Sequence, residues 1–161
     1  MDAETSFGPF LCAARGRFAL SLHAFIPVAV AALVLAADGV ASRYALLLAT
    51  LLLHECAHAL VALGLGSGRA SIAIWPIFGR VLVGRLSGRR EAWVALAGPA
   101  ANLLVAAGLA LCGARLTFAL LRAPLLDFVF MVNLGMGAGN LLPIVPIDGG
   151  RALASLLRPR S

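Results

Sequence analysis

The sequence predicts an all-α polytopic membrane protein of about four transmembrane helices, with a short membrane-associated β-hairpin between the second and third. Three observations in its 161 residues carry that prediction. Hydrophobic residue types make up 61% and charged ones 12%, and the mean hydropathy of +0.98 is far above that of a water-soluble globule. Four runs reach the length of about 20 mostly apolar residues that a helical span needs, at roughly 18–37, 44–65, 92–114 and 125–147. All 13 basic residues are arginine, and they fall outside those runs. The same figures exclude a soluble domain, a disordered chain and a disulfide scaffold.

Taken in order, residues 1–17 read as an N-terminal cytoplasmic tail and 18–161 as a single membrane-embedded core. The first run, 18–37, is followed by small residues that resemble a signal-peptide cleavage region. A retained span is the better reading, because the run exceeds a usual signal core, His23 and Pro27 interrupt it, and Asp2 and Glu4 accompany the two tail arginines. The second run, 44–65, carries Glu55 in an otherwise aliphatic stretch. Between 66 and 91 the pattern changes. Gly64 to Gly68 superficially resembles a phosphate loop but lacks the following Lys-Ser/Thr, so it reads as a helix exit. The segments Ser71 to Trp75 and Arg80 to Leu86 are short, β-branched and bounded by Gly or Pro, which suits a hairpin turning near Pro76 to Gly79. Trp75 and Trp93 flank this region as interface anchors. The third and fourth runs, 92–114 and 125–147, complete the unit. Cys12, Cys56 and Cys112 have no paired spacing and read as packing residues.

Ten arginines lie in the N-terminal tail, the 66–91 connection and the C-terminal segment; Arg43, Arg115 and Arg122 lie in the opposite connections. By the positive-inside rule the chain is an integral, multi-pass membrane protein with both termini cytoplasmic. The net charge of +6 therefore reports topology. Nucleic acid is excluded as a partner, since no aromatic-interleaved basic patch accompanies these arginines.

The second run contains His54-Glu55-Cys56-Ala57-His58. At about 100° per residue, positions i and i+4 project from one helix face, so two imidazoles can share a metal ion. A third protein donor plus a water would complete an open tetrahedral zinc site, with Glu55 as the general base on that water. The bland alternative is a polar patch in which these side chains satisfy one another. Energetics weigh against it: a carboxylate near the centre of a span costs on the order of 3 kcal/mol, so such a residue is functional by default. The candidate third donor is Asp148, at the end of Asn140-Leu141-Leu142-Pro143-Ile144-Val145-Pro146-Ile147-Asp148-Gly149-Gly150-Arg151. Spans two and four run in the same direction, so a shared metal is topologically permitted, and the two prolines break the helix where the acid must turn inward. An ordinary interfacial turn is the alternative there.

His-Glu-x-x-His followed by Asn-x-x-Pro-x-x-Pro-x-Asp-Gly resembles the site-2 protease family of intramembrane zinc metalloproteases. Gly98-Pro99-Ala100-Ala101-Asn102 is similar to the family's Gly-Pro-x-x-Asn segment, and the sequence around His23 is similar to its first helix. Gly139 departs from the pattern, since relatives commonly carry an aromatic residue before that Asn. The resemblance implies a compact helical core with a membrane-embedded hairpin after the second helix. It makes His54, His58 and Asp148 the ligands of Zn2+ and Glu55 the catalytic base. Asn140 and Asn102 become candidates for binding substrate or stabilising an oxyanion, their alternative being interhelical hydrogen bonding. His23 is left out of the ligands. The expected activity is hydrolysis of transmembrane segments of other membrane proteins in a bacterial inner membrane. A catalytically silent relative that binds membrane proteins, or a small ion channel or transporter, are the competing functions. Glycines 135, 137 and 139 are expected to allow close helix approach.

Overall fold

A computed structural model describes residues 10–23, 25–36, 39–117 and 120–158. Residues 1–9 of the expected tail, and Arg160, lie outside the described residues. The described residues are mostly helical, with one four-stranded sheet among them. Strands β1 (Phe10–Arg15) and β2 (Phe18–His23) are followed by helices α1 (Phe25–Ala36) and α2 (Val40–Gly64). Next come β3 (Ala70–Ile74), β4 (Gly79–Val83) and helices α3 (Arg89–Leu111), α4 (Leu125–Asn140) and α5 (Asp148–Leu157).

Among the described residues two helices are long and apolar enough to cross a membrane, α2 with 25 residues and α3 with 23. At 1.5 Å per residue they rise about 37 and 34 Å, against a hydrocarbon core of about 30 Å. Helix α4 is apolar but has 16 residues, so its run ends seven positions before the 147 expected from hydropathy. There Leu141 to Ile147 forms turns, as two prolines with no N–H to donate require.

The first run departs most from expectation. Its opening six residues form β2 rather than helix, and α1 has only 12 residues, about 18 Å of rise. In Phe18-Ala19-Leu20-Ser21-Leu22-His23 large apolar and smaller or polar residues alternate with the period of two that suits a strand. Part of the expected tail, Phe10–Arg15, pairs with it antiparallel as β1. The expected hairpin is present as β3 and β4, antiparallel, with Trp75 N–H donating to Phe78 O at 2.8 Å and the two rings stacked 4.7 Å apart. It is half of a larger sheet of order β1-β2-β3-β4, in which β2 and β3 run parallel. An all-α class is therefore too narrow.

Ile72 and Ile74 of β3 are buried against Leu51 and Ala59 of α2 and Ile26 of α1, which seats the sheet on the helices. On the other side α3 packs between α2, α4 and α5. Gly137 permits the α3–α4 approach, because a Cβ there would meet Leu103 Cγ at 2.7 Å and Pro99 O at 3.1 Å. Gly135 and Gly139, expected to act likewise, have open space where a Cβ would go.

Candidate metal centre

Helix α2 presents His54, Glu55 and His58, all buried, two turns or so before its C-terminal end. Asp148 is the first residue of α5, which brings its carboxylate to the same point. The turn into α5 is tight. Gly149 and Gly150 lie so close to the backbone of Leu141, Leu142 and Ile144 that neither could carry a Cβ without displacing it.

Three donor atoms converge. His54 Nε2 and His58 Nε2 are 3.1 Å apart, and Asp148 Oδ2 lies 3.0 Å from the first and 3.2 Å from the second. The other nitrogen of each ring is committed. His58 Nδ1 donates to Val94 O at 2.6 Å, and His54 Nδ1 donates to Asn102 Oδ1 at 2.5 Å. A carbonyl oxygen can only accept, so each Nδ1 carries the ring proton and each Nε2 offers a lone pair. Two lone pairs and a carboxylate oxygen facing one another repel unless a cation sits among them.

A metal ion fits that requirement. Tetrahedral zinc with bonds of about 2.0–2.1 Å holds its ligand atoms about 3.3 Å apart, close to the triangle observed. The Nδ1 partners are the outer hydrogen bonds that orient metal-bound histidines. Gly98 of α3 completes the cradle: a Cβ there would stand 2.7 Å from His54 Nε2 and nearer still to His58 Nε2. Arg151 Nη1 bonds the second carboxylate oxygen of Asp148 at 3.0 Å, leaving Oδ2 alone to face the rings.

A cavity of about 770 Å³ opens beside these donors, lined by Glu55, Asn140, Arg151 and the residues of β4. Glu55 packs under the start of β4, where a Cβ on Gly79 would meet its Oε1 at 2.9 Å. Asn140 donates to Met136 O at 2.9 Å and borders the cavity.

Asn102 is placed differently from the substrate-binding expectation. It is wholly buried, its Oδ1 accepting from His54 and its Nδ2 donating to Asn133 Oδ1 at 2.9 Å. With both ends of the amide engaged it supports His54, and it does not border the cavity. Sequence reasoning missed Asn133, Thr50 and Arg151. Asn133 carried a usable signal, a lone amide in an apolar run seven residues before Asn140 and so on nearly the same helix face. His23 is not one of the converging donors, and its Nδ1 accepts from Phe25 N–H at 3.2 Å.

No family model matches the chain. Zinc metalloprotease MJ0392 of Methanocaldococcus jannaschii is 30% identical over 114 residues, 71% of this chain and 34% of that one. Rip3 of Mycobacterium tuberculosis, named as a candidate zinc metalloprotease, is 38% identical over 120 residues, 70% of this chain and 30% of that one. The chain thus spans about a third of the length of the relatives it matches. Among solved structures, the site-2 protease from Methanocaldococcus jannaschii superposes with a TM-score of 0.70 at 25% identity, over 92% of this chain and 72% of that one.

Proposed function

The chain belongs to the site-2 protease family of zinc metalloproteases, and on that premise we propose that it is an intramembrane zinc endopeptidase acting on transmembrane segments of other membrane proteins. The observation that carries the reading is the convergence of His54 Nε2, His58 Nε2 and Asp148 Oδ2 within bonding reach of one ion beside an open cavity. In this reading those three residues hold the metal. Bound zinc would polarise the scissile carbonyl and make an attacking water acidic enough to react near neutral pH. Glu55 takes the proton of that water and returns it to the leaving amine, for which its place at the cavity wall suits it. Asn140, also on that wall, is the remaining amide for the substrate backbone or the developing oxyanion.

A helical substrate hides its peptide bonds and must unwind to be cut. Strand β4 offers the unwound stretch a partner, because it is the edge of the sheet and lines the same cavity as the metal ligands. We place four apolar segments in the bilayer of a bacterial inner membrane: α2 and α3 as full spans, α4 continued by 141–147, and α1 entering beside α2. Both termini are cytoplasmic in this arrangement. The parallel pairing of β2 with β3 supports it, since it puts the N-terminal segment and the arginine-rich 66–91 connection on one side.

Purified protein in detergent is expected to carry a single zinc ion and to cleave a tagged membrane-spanning peptide, with chelator abolishing cleavage. Glu55→Gln keeps the zinc and loses activity by about 100-fold or more. Zinc without cleavage in the parent would favour a silent substrate-binding relative. Absence of zinc would remove the metalloprotease reading altogether.

A further inference from the structure

We infer that Asn133 of α4 is a positioning residue for the metal centre, holding the Asn102 carboxamide in the one orientation that makes His54 present its Nε2 lone pair to the ion. The inference rests on the zinc reading above.

The argument runs through a buried chain of hydrogen bonds whose direction is set at its far end. Asn133 is almost fully buried, and its Nδ2 donates both to Val129 O at 2.9 Å, one turn back on α4, and to Thr50 Oγ1 at 3.2 Å on α2. The Val129 carbonyl can only accept, so the Asn133 amide cannot turn over without setting oxygen against oxygen. Its Oδ1 therefore faces Asn102, which must answer with Nδ2, and does so at 2.9 Å. Asn102 then has only Oδ1 left for His54, and His54 must carry its proton on Nδ1. A backbone carbonyl on α4 thus decides, through two amides, which nitrogen of a histidine on α2 is free.

His58 reaches the same tautomer more simply, from Val94 O directly. Asn102 is different because its amide can serve as donor or acceptor according to how it is turned. Without Asn133, the Asn102 amide is free to rotate and offer Nδ2 to His54, which moves the ring proton to Nε2, where the ion must bind. Asn133 does not line the cavity, and its hydrogen-bonded route to His54 runs through Asn102.

The test is zinc affinity, measured by competition with a chromogenic chelator on purified protein in detergent, together with the melting temperature of the zinc-free form. Asn133→Leu keeps the approximate volume and removes the acceptor; zinc affinity is expected to fall about 10–100-fold, the range for losing an outer-shell partner. Asn133→Asp keeps an oxygen toward Asn102 Nδ2, and its protonated form keeps one O–H donor, for Val129 O, in place of the amide's two N–H donors. It is expected to bind zinc within about threefold of the parent, well inside that range. A role confined to tying α4 to α2 would show in the melting temperature and leave zinc affinity unmoved. Parental affinity in Asn133→Leu, or a loss in Asn133→Asp as large as that in Asn133→Leu, overturns the inference. If the leucine variant does not fold, Asn133→Ala, which also removes the acceptor, takes its place with the same expected loss and the same overturning result. A parent that binds no zinc overturns the metalloprotease reading instead, and is seen before any variant is made.

Discussion

Gly98→Ala is the sharpest test of the metal centre, because the change is a single methyl group and its collision can be located. The added Cβ would stand 2.7 Å from His54 Nε2 and closer to His58 Nε2, whereas ordinary contact begins near 3.4 Å. The His54 ring must therefore retreat by about 0.7 Å and the His58 ring further, while metal sites tolerate errors of only about 0.2 Å in ligand position. If instead the rings stay, the methyl crowds the space the ion needs. Zinc affinity should drop by roughly 100-fold or more, beyond the loss typical of an outer-shell change. Helix propensity does not oppose the substitution, since alanine is favoured over glycine by about 1 kcal/mol in a helix interior. Chelator competition and metal analysis on purified protein give the answer. Gly135→Ala serves as the control, a helical glycine with open space around it and an expected affinity equal to the parent's. Should Gly98→Ala bind zinc as tightly as the parent, the ion does not sit among His54, His58 and Asp148.

Further outcomes follow from the sheet and from Asp148. Trp75 N–H bonds Phe78 O and Gly84 N–H bonds Arg69 O, so even-numbered residues of β4 pair inward with β3 and the N–H groups of Val81 and Val83 face the open edge. Val81→Pro should then leave the sheet intact yet reduce kcat/KM about 3–12-fold, the worth of one backbone hydrogen bond to a bound strand. Leu82→Pro, which breaks the ladder to β3, should lower the melting temperature as well. Equal cleavage by Val81→Pro and parent would discard strand addition on this edge. Arg151→Gln frees the second oxygen of Asp148 and should weaken zinc roughly tenfold, at the lower end of outer-shell effects because Arg151 is partly exposed. An unchanged affinity in that variant would mean that Asp148 is held by its helix alone.

What could be read from the sequence divides along physical lines. Hydropathy locates α2 and α3 because a long apolar run reports burial or lipid contact. It is blind to backbone conformation, so 18–37 read as one helix although Phe18–His23 is a strand. One of its two partners, Ala70–Ile74, lies some fifty residues later, where no local window contains the pairing, and the other, Phe10–Arg15, falls in the stretch read as a tail. The spacing of His54 and His58 placed both rings on one face, and Asp148 was reachable through topology and the proline-broken end of α4. The supporting residues were harder. A charge in an apolar run announces itself, while Asn133 and Thr50 are neutral, and their importance lies in which atom of an amide faces which neighbour. Arg151 looked like one more topological arginine until its 3.0 Å bond to Asp148 was visible.

The order of the sheet has a mechanical consequence. Its strands come from two distant stretches of chain, β1 and β2 ahead of the first helix and β3 and β4 behind the second, stitched together where β2 meets β3. The lip that overhangs Glu55 is thus the last plank of a platform whose first plank is laid near the start of the polypeptide. Were the seam between β2 and β3 broken, β3 and β4 would be left as a two-stranded ribbon, which is marginally stable by itself.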